Sequence, residues 1–325
     1  MNRLYALACF MLTIQFYSFP QGYHTIGAAF FNDTLELYGE VFIPALPAGQ
    51  GVGVAIIQGS GPSGTDNSWA RSFAELLAEH GIYALLPDKR GVGKSRGDWK
   101  KASFEDLAGD AAASARFLKN KYGLKKVGVM GLSQGGAIVP IAASQEEAVA
   151  FAIDVVGSAV PFEELIIHEV ANTSLQEGLS PEQVKEVLEL HVLMKQYIKT
   201  GDWAPLEARY QQLEASGWAD YARTFPREKD SWVWDWIRLN FDADPLPYWA
   251  KVEQPVFVAY GARDEQDNVP VWRSVYLLQS IFAERQKKDY EIHVYDTGHA
   301  MYQSDQAALH KGFASDLIRW IKELQ

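Results

Sequence analysis

Short, wholly apolar runs exchange along this chain with longer stretches whose apolar residues fall at helical spacing, and no other property of the sequence narrows its fold as far. Leu35 to Ile43 alternates like a strand, and Val52 to Ile57 is a continuous apolar run ending in Gln-Gly-Ser-Gly-Pro, as a buried strand entering a glycine loop would be. Tyr83 to Leu86, Val127 to Met130, Phe151 to Val156, Val256 to Tyr260 and Glu291 to Tyr295 also read as strands. Between them the spacing predicts a helix over Ser72 to His80, one capped by Ser103 with Asp106 three residues on, and one over Gln134 to Ser144. Strands alternating with helices need crossover connections, so an α/β protein with a mostly parallel sheet is expected. At 325 residues the chain can bury a full core, as one large domain or two small ones.

The alternation stops at Pro161 and resumes at Pro255, which divides the chain into an α/β core over 23–160 and 251–325 and a helical block over 161–250. Ser180-Pro181-Glu182-Gln183 carries a cap, a first-position proline and a capping-box glutamine. Six of the ten tryptophans (Trp203, Trp218, Trp232, Trp234, Trp236, Trp249) fall in the block, as subdomain core or as pocket lining. At the start, Met1-Asn2-Arg3 precedes an apolar stretch from Leu4 to Phe19, the order of a secretory signal over residues 1–22. On that reading the protein is exported to the periplasm or beyond; if the stretch instead packs on the domain, it is cytoplasmic. Sixteen residues are short for a membrane span, so no stable span is expected.

With 30 basic and 41 acidic side chains, the net charge is −11 and spread along the chain, which argues against a nucleic-acid partner. One cysteine, Cys9, allows neither an internal disulfide nor a thiolate metal cluster.

The chemistry begins at Gly131-Leu132-Ser133-Gln134-Gly135, where a strand runs into Gly-x-Ser-x-Gly and then a helix. A serine thrown out at a sharp strand-to-helix turn takes a strained backbone that only small neighbours accommodate. Its hydroxyl then stands at a helix N-terminus, where developing negative charge is favoured. Such a hydroxyl needs a base. Of seven histidines, His299 alone follows a strand in a glycine loop before a helix, which puts it on the same sheet edge as Ser133. The base needs a carboxylate to hold its tautomer, and two aspartates after Val256 to Tyr260 compete, Asp264 and Asp267, with Asp264 preferred. Backbone donors for an oxyanion are assigned to Gln134 and to Ser60, in the loop after Val52 to Ile57. Two glycine patterns are decoys. Gly93-Lys94-Ser95 lacks the earlier glycine of a phosphate loop, and Gly49, Gly51 and Gly53 precede a strand instead of following one.

Taken together, Gly59-Ser60-Gly61-Pro62, Asp88 to Ser95, Gly131 to Gly136, Asp242 to Leu246, Gly261 to Pro270 and Gly298-His299 resemble the α/β-hydrolases. The likeness is to capped bacterial serine hydrolases related to serine aminopeptidases and dienelactone-hydrolase-like esterases. It implies an eight-stranded, mostly parallel sheet with helices on both faces, a helical cap after the sixth strand, and a Ser133–Asp264–His299 triad. Gln58 departs from the family, where histidine is frequent, and two extra residues between Asp264 and Val269-Pro270 keep Asp267 in play. The expectation is a cofactor-free and metal-free serine hydrolase acting on a small-molecule carboxylic ester. A peptidase or acyl-thioesterase would use the same residues, with Glu163, Glu164 and Glu169 as candidates for holding a peptide amine. A binding protein without turnover is the remaining alternative.

Overall fold

The computed structural model describes residues 22–48, 51–217, 226–303 and 308–324. The segment read as a signal, apart from Gly22, lies outside the described residues, as do Cys9 and Trp218. Eight strands form one sheet: β1 (Tyr23–Asn32), β2 (Leu35–Pro44), β3 (Val52–Ile57), β4 (Tyr83–Pro87), β5 (Lys126–Leu132), β6 (Val149–Val155), β7 (Val256–Gly261) and β8 (Tyr290–Tyr295). Their order is β1-β2-β4-β3-β5-β6-β7-β8. Only β2 runs against the others, pairing antiparallel with β1 and β4. The remaining neighbours are parallel.

Seven of these strands coincide with the apolar runs of the sequence. The eighth, β1, was not legible. It lies at the sheet edge with most of its residues exposed or half-buried, so it carries no clean alternation. What defines it is pairing with β2 along its whole length across a two-residue turn at Asp33, whose φ of 51° is the left-handed value such turns need.

Both faces of the sheet are covered. Ala55 and Ile57 of β3 face α2 (Phe104–Tyr122), α3 (Gln134–Gln145) and α9 (Val271–Glu284). Val54 and Ile56 face α1 (Ser68–Glu79) and α10 (Lys311–Glu323). Helix α1 starts four residues before the apolar pattern does, because the Asn67 side chain accepts from the Ala70 N–H and caps it. The Ser103–Asp106 box caps α2 as its spacing predicts.

Between β6 and β7 come α4 (Phe162–Gln176), α5 (Pro181–Thr200), α6 (Ala204–Ala215), α7 (Trp232–Asn240) and the short α8 (Leu246–Trp249). Met194, Tyr197, Trp203, Leu206, Trp234 and Ile237 give α5 to α7 a core of their own. Trp249 does not share it. Its ring packs edge-on to Phe282 of α9, centroids 6.0 Å apart, so the last turn of the helical block belongs with the sheet. Asn240 ties α7 to the start of α2, accepting from the Phe104 N–H at 3.0 Å and donating to the Ala102 carbonyl at 3.3 Å. Among the described residues no helix is long and apolar enough to cross a membrane.

One buried carboxyl sits beneath the β5–α3 turn. Asp154 of β6 is wholly buried; its Oδ1 accepts from the Gly157 N–H at 2.9 Å, and its Oδ2 meets no partner among the described residues. Burial pushes its pKa from 3.8 up to about 7. The folded state thus holds a proton that an unfolded aspartate has already released, and stability from this group falls as pH rises through that window. Asp154→Asn keeps the acceptor and removes the charge. Its melting temperature relative to wild type is expected to rise progressively between pH 4 and pH 8; a difference that is flat with pH contradicts this.

Candidate active site

Ser133 sits between β5 and α3 at φ 56° and ψ −121°, a backbone that L-residues avoid. Its N–H donates to the Val155 carbonyl at 3.0 Å, and its own carbonyl accepts from the Gly136 N–H at 2.7 Å. The flanking glycines leave no room for anything larger. A Cβ on Gly131 would stand 2.2 Å from the Gly135 carbonyl oxygen, and one on Gly135 would stand 2.2 Å from that of Ile57. Gly136, outside the five-residue pattern, is just as restricted: its Cβ would lie 2.0 Å from Asp154 Oδ1.

From this turn the Ser133 hydroxyl donates to His299 Nε2 at 2.9 Å. On the far side of the ring His299 Nδ1–H donates to Asp264 Oδ2 at 2.7 Å, which settles the tautomer because a carboxylate only accepts. Asp264 lies in a single 3₁₀ turn, Ala262–Gln266, directly after β7, and is fully buried. Its Oδ1 accepts from the Asn268 N–H at 3.3 Å. The acid loop and the histidine loop are pressed together: the Arg263 N–H donates to the Thr297 carbonyl at 2.9 Å, and a Cβ on Gly261 would meet the Gly298 carbonyl oxygen at 2.4 Å. Of the two competing aspartates, Asp264 reaches the histidine. Asp267 contributes only a backbone N–H to the Asp264 carbonyl, at 2.9 Å. The other histidines with side-chain partners stand elsewhere, His191 against Glu163 and His293 against Glu291, for example.

Trp69, which sequence reasoning did not single out, steadies the histidine loop. Its indole N–H donates to the Ala300 carbonyl at 3.0 Å and its ring lies 5.8 Å from the His299 ring. Nothing in the sequence separates it from any tryptophan near a helix start.

The glycine loop after β3 arrives opposite. A Cβ on Gly59 would be 3.4 Å from both the Leu132 carbonyl oxygen and Ser133 Cβ, so this backbone lies against the Ser133 turn. Ser60 and Gln134 both face the same cavity. Gln58 points away from it: its amide donates to the Pro87 carbonyl and its oxygen accepts from Ser63 Oγ, which in turn accepts from Asn67 Nδ2 at 2.8 Å. Here the glutamine anchors the loop to the end of β4. Lys89, buried in the loop after β4, donates to the Gly59 carbonyl, to the Gly61 carbonyl at 2.9 Å and to Gln134 Oε1 at 3.4 Å.

Ser133 and His299 open into a cavity of about 850 Å³ between the sheet edge and the helical insertion. Its wall is mainly apolar, with Phe104 and Ala137 from the α/β part and Phe162, Ile166, Trp236 and Ile237 from the insertion. Of the three glutamates considered for an amine, Glu169 lines this wall; Glu163 pairs with Lys195 at 2.7 Å and Glu164 with Arg273 at 3.3 Å. Among the described residues no group of three or more His, Cys, Asp or Glu side chains is placed to hold a metal ion.

A strand-to-helix serine turn, an acid after β7 and a histidine after β8, on a sheet with one reversed strand, define a hydrolase architecture. A profile of the alpha/beta hydrolase family matches residues 41–311, and the chain belongs to that family. Among solved structures it is similar to an esterase of Pyrococcus furiosus, at 17% identity and TM-score 0.56, covering 93% of this chain and 90% of that one. It is similar as well to a proline iminopeptidase of Mycobacterium smegmatis, at 16% identity and TM-score 0.58, covering 92% and 98%. A dienelactone hydrolase of Anabaena variabilis aligns at 14% identity and TM-score 0.54, covering 93% and 98%. At such identities the likeness is one of fold. No curated protein sequence matches the chain.

Two glycines of the site differ sharply in what they tolerate. Gly135→Ala forces a Cβ onto β3 backbone and is expected to cost about 3 kcal/mol or more, whereas Gly298→Ala, with open space at its Cβ, should stay within about 0.5 kcal/mol. Denaturant unfolding of the two variants checks this, and equal losses contradict it.

Proposed function

We propose that the protein is a serine hydrolase that cleaves a carboxylic ester through a covalent acyl-enzyme. One observation carries this reading: the unbroken hydrogen-bonded run from buried Asp264 through His299 to the Ser133 hydroxyl, ending at the mouth of an apolar cavity. In the proposed reaction Ser133 Oγ attacks the ester carbonyl while His299 Nε2 takes its proton. Asp264, buried behind the ring, keeps it in the right tautomer and stabilises the imidazolium. The carbonyl oxygen becomes an anion, received by the N–H groups of Gln134 and Ser60. Collapse expels the alcohol, which takes the proton back from His299. Water then repeats the sequence on the acyl-serine and regenerates the free hydroxyl.

The apolar wall suits an uncharged acyl or alcohol part of small to medium size, with the helical insertion acting as a cap over it. A second reading has one observation behind it. Glu169 is a carboxylate in the wall of the same cavity as Ser133, and one structural neighbour is a proline iminopeptidase. The same groups would then work on an amide.

The test is a panel of p-nitrophenyl esters, thioesters and aminoacyl amides. Ser133→Ala is expected to lower kcat by about 10⁴-fold or more with the melting temperature retained, and Asp264→Asn by about 10⁴-fold through the wrong tautomer. Asp267→Asn should remain within about twofold of wild type. Turnover surviving in Ser133→Ala ends the reading. Esters turned over faster than amides support the first version, and the reverse order supports the second.

A further inference from the structure

Lys89 is a buried cation with no carboxylate among its hydrogen-bond acceptors in the described residues. Its ammonium donates to the carbonyl oxygens of Gly59 and Gly61, on either side of Ser60, and to the Gln134 side chain. Burying a charge against neutral acceptors is costly, so the arrangement needs a reason. The peptide unit itself supplies one. The Gly59 carbonyl and the Ser60 N–H belong to one planar unit, and no cis peptide is present among the described residues, so they point in opposite directions. An ammonium that holds the carbonyl on one side aims the N–H to the other. Gly59 and Gly61 leave this loop free to rotate its peptides, and Gly61 already sits at φ 76°. The third contact reaches Gln134, whose own N–H is the other donor of the proposed oxyanion hole.

We infer that Lys89 is the positioning residue of the oxyanion hole: its ammonium pins the Gly59–Ser60 peptide so that the Ser60 N–H stays turned toward the scissile carbonyl, and it anchors Gln134 in the same grip. The inference rests on the reading of Ser60 and Gln134 as oxyanion donors. A charge bound to the peptide oxygen also polarises the unit, which makes its N–H a stronger donor in a site of low dielectric. Both effects act on the transition state and leave ground-state binding in the apolar cavity nearly untouched.

The charge is conditional. Burial lowers the Lys89 pKa from 10.5 to about 8, so the ammonium is present below that value and fades above it. The charged groups around it are already engaged. Asp88 accepts from the Thr65 N–H at 2.7 Å and the Lys94 N–H at 2.9 Å, and Asp110 of α2 is paired with Arg90 at 2.7 Å. Across the glycine loop stands His299, hydrogen-bonded to Ser133 and Asp264. A neutral amine keeps two hydrogens for two carbonyls, donates them more weakly, and loses its field.

The experiment compares wild type with Lys89→Met, similar in length and uncharged, on a p-nitrophenyl ester between about pH 7 and about pH 9.5. Wild-type kcat is expected to fall about threefold or more with a midpoint near 8, at nearly constant KM. Lys89→Met is expected to lose about tenfold or more in kcat at pH 7, to keep KM within about twofold, and to show no such fall at higher pH. Should the variant not fold, the wild-type profile decides alone, and a wild-type kcat that stays level to pH 9.5 overturns the inference. So does a folded Lys89→Met with wild-type kcat. Wild-type protein that neither turns over esters nor takes a fluorophosphonate on Ser133 sinks the hydrolase reading and this inference with it. An active wild type beside an equally active Lys89→Met sinks this inference alone.

Discussion

Everything at the site depends on the backbone of one residue. Ser133 is held at a positive φ that costs about 1–3 kcal/mol, and it persists only because its surroundings leave no alternative. Bare backbone at Gly135 lies on the end of β3, bare backbone at Gly136 lies on Asp154, and the Ser133 N–H is tied to β6. Three adjacent strands thus hold one side chain upright at their common edge. A relaxed serine would lie back along the helix and its hydroxyl would miss the imidazole.

The other partners arrive by the same device, each from the carboxyl end of a different strand. Asp264 follows β7 and His299 follows β8, and their loops lock through Gly261 and the Arg263–Thr297 backbone bond. The glycine loop follows β3, and Lys89 lies in the loop that follows β4. A parallel sheet brings all these ends to one rim, which lets groups far apart in the chain meet without long connections. The helical insertion leaves from β6 at that rim and closes the cavity from above.

Much of this could be read from the chain. Buried parallel strands are apolar throughout, so β3, β5, β6 and β7 stand out, and the glycines around Ser133 are dictated by contact with backbone. That Asp264 and His299 would meet was legible because both occupy loops at strand ends whose position follows from strand order. What escaped has physical reasons too. Strand β1 is an edge strand stabilised by pairing more than by burial, so its pattern is faint. Trp249 joins the sheet side because α8 lies back on α3 and α9, a matter of tertiary packing that composition cannot show. Gln58 and Lys89 are buried polar residues, and a sequence does not reveal that a lysine between an aspartate and an arginine points inward. Choosing between Asp264 and Asp267 needed the shape of one 3₁₀ turn.

The central claim is covalent: the acyl group passes through Ser133. Rapid quenching of the protein during turnover of a slow ester, followed by digestion and mass spectrometry, tests it most directly. The account predicts an added acyl mass on the peptide containing Ser133, appearing and decaying at the rate of turnover. Steady turnover with that peptide always unmodified, or with the acyl mass on another residue, would contradict it.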